Sequence, residues 1–193
     1  MFRNVYAVGL LIFAVITAAF FITNIFFRDT DYYRNTIILS AFFVPVVLAV
    51  GAFLSVTAYS RWKKSISFRE AYGRAFIPMF VGALLSFIAI FLYINYGDRA
   101  TKDLLNYQYV ESYKKSLEDE YQKAKNVLKP DSAEMKEVDE KYAEGKVRIA
   151  EKVRKKEDMF TLRYFATVFA GYCMFMLILS LFFGSFFRSG GIR

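Results

Sequence analysis

The sequence predicts an all-α membrane protein: four transmembrane helices with a long extramembrane antiparallel helical hairpin between the third and fourth. Three observations point there. The 193-residue chain is 56% hydrophobic and 19% aromatic, well above the roughly 45–50% apolar content of an ordinary soluble domain. Four stretches, 4–27, 36–60, 75–97 and 164–187, carry no charged residue at all. Between the last two, 98–163 holds 16 of the 26 Lys and Arg and 15 of the 18 Asp and Glu, with a net charge of only +1. Side chains so dense in charge each cost a few kcal/mol or more in hydrocarbon, so this segment stands in water.

The first span, 4–27, has 24 residues, which at 1.5 Å per residue reach about 36 Å and cross a hydrocarbon core of about 30 Å with some tilt. Its apolar run exceeds the roughly 7–15 residues of a signal peptide, and only Arg3 precedes it, so it reads as a transmembrane helix. A short polar connector, 28–35, follows, with Tyr32 and Tyr33 suited to the aromatic belt at the membrane surface. The second span is 36–60. Next comes the most basic short connector, with Arg61, Lys63, Lys64, Arg69 and Arg74 against the lone Glu70.

Ser67-Phe68-Arg69-Glu70 has the form of a capping box. The Ser hydroxyl and the Glu carboxylate satisfy N–H groups left over at a helix start, so Ser67 and Glu70 are read as an interfacial cap. The third helix then occupies 67–97. Pro45 and Pro78 each remove a backbone donor inside a span and can kink it. The spans' few polar residues fall partly in small-xxx-small patterns: Ala14 with Ala18, Gly51 with Ser55, Gly82 with Ser86, Ala166 with Ala170. Such patterns let helices approach closely.

Within 98–163, apolar residues recur at steps of three and four. Val110, Tyr113, Leu117, Tyr121, Ala124 and Leu128 form one face, and Met135, Val138, Tyr142, Ile149 and Val153 the other. Pro130 ends the first arm in a turn near 129–132, and Asp131, with Glu134 three residues on, can cap the second. Arms of about 30 residues would project about 45 Å. Gly145 marks the expected bend, and Glu118 falls on the exposed face. The fourth span, 164–187, ends at Arg188-Ser189-Gly190-Gly191, basic and then Gly.

Four spans put both termini and the second connector on one side, with Arg3, Arg61, Lys63, Lys64, Arg69, Arg74, Arg188 and Arg193, against Arg28 and Arg34 in the first connector. The positive-inside rule then places the termini in the cytoplasm and the hairpin opposite. The basic residues Lys152, Arg154, Lys155, Lys156 and Arg163 at the hairpin's base argue for the reverse.

The four uncharged spans, the motif Ser67-Phe68-Arg69-Glu70-Ala71-Tyr72 and the charged helical insertion before the fourth span together resemble a bacterial family of four-span membrane proteins catalogued only as a domain of unknown function. That resemblance implies a multi-pass protein of the bacterial inner membrane and carries over no activity and no site residue.

The chain has no His, which removes the commonest general base, metal ligand and partner of a nucleophilic Ser or Cys. The uncharged spans offer no carboxylate for an aspartate protease or a proton relay. The one cysteine, Cys173, lies in the last span, so no disulfide forms within the chain. Glu118-Asp119-Glu120 and Asp139-Glu140 sit among lysines and lack a calcium-loop pattern. The +8 charge sits beside apolar spans, where it orients the chain in the membrane; it does not suggest nucleic acid.

The expectation is a protein that is not an enzyme, needs no cofactor and binds no metal. Besides membrane lipids, its hairpin docks on a protein partner or on a second copy. Tyr107, Tyr109 and Tyr121 are the candidate contacts, tyrosine being enriched in such surfaces, while Tyr113 and Tyr142 fill the seam between the arms. The alternative is a small transporter or channel acting as an oligomer with the hairpin as its gate, for which Asn24 and Asn95, near one face of the membrane, are the first residues to inspect.

Overall fold

The computed structural model describes residues 2–28, 31–130 and 132–188. Among them the chain is helical throughout, and four helices are long and apolar enough to cross a membrane. It divides into two compact units: Ala100–Met159, and the chain on either side of it.

In the larger unit, α1 (Val5–Phe26) starts where Asn4 Oδ1 accepts from the N–H of Tyr6 at 3.0 Å. The second span begins earlier than the charge pattern suggests. Asp31, in the left-handed region at φ 45°, breaks the chain, and α2 (Tyr32–Ile38) starts at once, carrying Arg34 and Asn35 in its polar first turns. Tyr32 is fully buried, so it belongs to the core and not to the aromatic belt. A five-residue π-turn, Leu39–Phe43, joins α2 to α3 (Val44–Lys63), making one 32-residue span.

Pro45 accounts for what happens at that turn. The N–H of Val44 reaches five residues back to Leu39 O; the same register would give Ser40 O to residue 45, and proline has no N–H. The phenol of Tyr172 donates to the Ser40 carbonyl from the fourth span. The expected kink is thus a π-turn repaired by another helix. At Pro78, by contrast, α4 (Phe68–Leu92) runs on unbroken, then ends in a second π-turn, Tyr93–Gly97. The last span is α7 (Leu162–Phe187), capped by Thr161 Oγ1, which accepts from Tyr164 N–H at 3.3 Å.

Two glycines let the first three spans meet. Ile12 of α1 is 2% exposed. Its side chain occupies the space where a Cβ on Gly51 of α3 or Gly82 of α4 would stand, 2.5 Å away in each case. Gly51, Ser55, Gly82 and Ser86 are all buried, whereas Ala14, Ala18, Ala166 and Ala170 face outward. Two of the four small-residue pairs therefore pack helices.

Aromatic rings dominate the contact between α4 and α7. Phe68, Tyr72, Phe76 and Phe80 stack in succession along α4 at 5.5–6.1 Å, and Phe87 and Phe91 meet Phe165 and Phe169 of α7 edge-on. Only 11% of the most apolar stretch of α7 is buried, against 22–33% in the other spans. Its outward face carries Ile178, Phe182 and Phe186, the composition lipid contact requires.

In the smaller unit, α5 (Arg99–Val127) and α6 (Ala133–Lys155) carry the charged segment. Ser132 caps α6, its Oγ accepting from Met135 N–H at 3.2 Å; the cap proposed at Asp131 lies outside the described residues, as does the Ser189-Gly190-Gly191 stop. Cross-helix partners run in opposite order along the two elements: Asn106 with Asp158, Tyr109 with Lys152, Leu117 with Gly145, Tyr121 with Asp139. Gly145 is no bend. It is buried in a continuous helix, and a Cβ there would stand 2.8 Å from Leu117 Cδ2. Glycine at 145 lets Leu117 seat against the α6 backbone.

Candidate functional site

The three tyrosines singled out as contact residues have different surroundings. Tyr107 is 65% exposed. Tyr109 is half-buried, with the Lys152 ammonium 5.7 Å from its ring centre. Tyr121 is held inside the smaller unit: its ring lies 4.1 Å from that of Tyr142 and 12° from parallel, and its hydroxyl donates to Asp139 at 2.9 Å. In return the Tyr142 hydroxyl donates to Glu118 of α5. Each tyrosine therefore bonds a carboxylate on the opposite helix.

These bonds shift the groups that make them. The Glu118 carboxyl is held below its usual range by the Gln122 amide and then by the Tyr142 hydroxyl. The Tyr121 phenol is held above its usual value by its bond to Asp139. Glu118 is exposed, as the pattern suggests, yet it is bonded across the pair. Tyr113, expected in the seam, is 41% exposed and stands with Tyr107 on the open surface. Tyr142 is in the seam, with Lys146 4.7 Å from its ring centre.

At the basic connector, Ser67 Oγ accepts from Glu70 N–H at 3.3 Å, and Glu70 Oε2 accepts from Ser67 N–H at 2.9 Å. The other carboxylate oxygen pairs with Lys63 and accepts from Tyr59. Arg74 lies 3.8 Å from the Tyr59 ring centre and donates to Arg3 O, while Arg3 stacks over Trp62. These contacts tie α3, α4 and the chain before α1 together.

Asn24 joins two helices, and Asn95 ties its own helix to the segment that leads into α7. Asn24 donates to Tyr93 Oη at 2.7 Å, linking α1 to the second π-turn. Asn95 donates to the carbonyls of Phe91 and Phe160 at 3.1 and 3.2 Å. Nearby, Arg28 and Asp98 pair at 3.1 Å.

An interior cavity of about 100 Å³ opens between all four spans, walled by residues such as Ile16, Ala83, Ser86, Phe87, Val168 and Tyr172. Sequence reasoning missed it, together with the Ser40–Tyr172 bond. For the bond alone the available signals were Pro45 and a tyrosine inside an apolar span, since a buried phenol needs an acceptor. Among the described residues no group of three or more His, Cys, Asp or Glu is placed to hold a metal ion.

Four membrane-capable helices and a charged helical insertion define a multi-pass membrane protein. The chain belongs to the family described as Protein of unknown function (DUF4199), whose profile matches residues 9–189. No curated protein and no solved structure matches it.

Proposed function

We propose that this is a non-enzymatic subunit or scaffold whose charged segment 98–163 forms an extramembrane hairpin that docks on a partner protein or on a second copy of the chain. The observation that carries this reading is the division of labour among the tyrosines. Tyr121 and Tyr142 are committed to holding α5 against α6, which leaves Tyr107 and Tyr113 exposed on a braced element. A rigid aromatic side chain on an ordered helix loses little entropy on binding, which favours recognition.

The proposed site is the inner membrane of a bacterium, with the termini in the cytoplasm and the hairpin opposite, following the positive-inside rule. The pore alternative draws no support from Asn24 and Asn95, whose amides are bonded to Tyr93 and to the carbonyls of Phe91 and Phe160.

The test is purification from the native membrane in mild detergent. The full chain is expected to elute with a companion of fixed stoichiometry, a second copy or another protein. The companion should be lost when 105–155 is replaced by a short flexible linker and reduced by Tyr107→Ser. A protein that runs alone, or a companion indifferent to both changes, overturns the reading.

A further inference from the structure

We infer that the interior cavity holds the end of a lipid acyl chain, admitted from the bilayer alongside α7. This site is independent of the docking surface. Five residues of its wall carry hydroxyls, Thr36, Ser40, Ser86, Tyr164 and Tyr172, and three of these have spent their protons on the protein: Thr36 donates to Tyr32 O, Ser86 to Gly82 O and Tyr172 to Ser40 O. A resident water needs two to four polar partners, and Thr36, Ser86 and Tyr172 can only accept from it, which makes the space a poor site for water. Apart from these five hydroxyl residues the wall is aliphatic or aromatic, and no charged residue lines it.

Size points the same way. The volume, about 100 Å³, is below the roughly 150 Å³ of a dry apolar cavity known to take benzene or xenon, so it suits a chain end and excludes a headgroup. Access is from the side. Two grooves on the outer surface flank α7 and share walls with the cavity, one at Phe87 and Phe165 towards α4, the other at Ser40, Val168 and Tyr172 towards α3. What lies outside those grooves in a membrane is hydrocarbon. The chain gains no hydrophobic energy by moving from lipid into protein; occupancy is driven by the dispersion contacts that an empty void forfeits.

The experiment uses the full-length protein in nanodiscs of phosphatidylcholine carrying a photoreactive diazirine at the end of one acyl chain. After irradiation, mass spectrometry should find adducts on Ile16, Ala83 and Ser86, which line the cavity and neither groove, besides those on the outward-facing Ile178 and Phe182. Moving the diazirine next to the headgroup should abolish the cavity adducts. Ala83→Leu or Ser86→Leu, which fill the space, should abolish them while leaving the adducts on Ile178 and Phe182. Chain-end adducts confined to the outward faces, or cavity adducts equal for both positions of the label, overturn the inference. Both comparisons can be made on the unaltered chain, so they hold even if a filled variant does not insert.

Discussion

Adding one methyl group at Gly51 or Gly82 discriminates between two ways in which the same isoleucine fills two glycine sites. In Gly51→Ala the new Cβ would lie 2.5 and 2.7 Å from Ile12 Cδ1 and Cγ1, with its next neighbour, Val8 Cγ1, at an ordinary 3.8 Å. In Gly82→Ala it would lie 2.5 Å from Ile12 Cγ2, 2.7 Å from Ile12 Cβ and 2.8 Å from the Gly9 carbonyl oxygen. Unstrained carbon contacts fall at about 3.5–4.0 Å, so each single change overpacks the site by most of an ångström and should cost about 1–3 kcal/mol. Ile12→Ala alone should cost about 2–5 kcal/mol by leaving a cavity.

In combination the two glycine sites part company. Truncating Ile12 removes every short contact at residue 51, so Ile12→Ala/Gly51→Ala should be about 1–3 kcal/mol more stable than the sum of its parts. At residue 82 the Cβ of residue 12 and the Gly9 backbone remain in the way, so the rescue there should be the smaller of the two. Reversible unfolding of the full chain in mixed micelles with increasing dodecyl sulfate measures all five variants. Equal rescue at both positions, or none at residue 51, would show that Ile12 is not the knob that fits both glycines.

The remaining expectations concern the smaller unit. Alanine at Tyr121 and Tyr142, singly and together, should reveal a coupling of about 0.5–1.5 kcal/mol between the stacked rings, measured by chemical unfolding. Gly145→Ala should destabilise the pair in the native sequence, where Leu117 stands 2.8 Å from the added carbon, and stabilise it by up to about 1 kcal/mol in a Leu117→Ala background, where helix propensity alone acts. Leu117→Asp should loosen the α5–α6 contact strongly by circular dichroism, and Glu118→Lys, which removes the acceptor for Tyr142, should loosen it to a lesser degree. Glu118 is depressed in the folded state, so its contribution is present above the ordinary carboxyl value of about 4.3 and is lost as pH falls through the lower folded value. Tyr121 is raised, so its contribution is present below about 10 and is lost as pH rises through the higher folded value. Hydrogen exchange of amides 117–121 and 139–145 across both limits checks the pair, and protection unchanged at either extreme refutes the corresponding bond.

Charge-free length made the four spans legible, because in hydrocarbon a charged residue has to be excluded or paired. The same rule misplaced the start of the second span: Arg34 looked like a connector residue, yet it sits in the first turns of α2, at the polar end of a long helix. The capping pattern at Ser67 and Glu70 could be read because it is local, a matter of three residues' spacing. Pro45 announced a disruption, but its form depended on a tyrosine 127 positions later that supplies the missing donor. Gly145 misled for a related reason. Low helix propensity is a property of the residue, whereas the seat for Leu117 is a property of the facing helix. Periodicity likewise assigned Tyr113 and Val153 to the seam, but both are exposed, because a repeat of three and four defines a stripe wider than the line of contact. The cavity had no signal in the sequence, since a void depends on how four separate helices fail to fill the space they share.

The ion pair of Lys102 with Asp158 at 2.5 Å, with Asn106 bonded to both Asp158 and the Met159 N–H, bears on how the fourth span finds the third. Between Gly97 and Leu162 lie 64 residues, against four between Lys63 and Phe68. A flexible chain sixteen times longer, four doublings, costs about 2.4 kcal/mol more in closure entropy. Once the intervening helices are paired, however, the contacts of Lys102, Asn106 and Asp158 bring the two ends of that stretch side by side, and the effective tether shrinks to a few residues at each end. The expected order of assembly is that the segment emerging after α4 closes on itself before α7 packs its phenylalanines on the ladder along α4. A chain in which Asp158→Lys breaks the closure should insert all four spans yet assemble them more slowly, at a rate that falls as the insertion is lengthened.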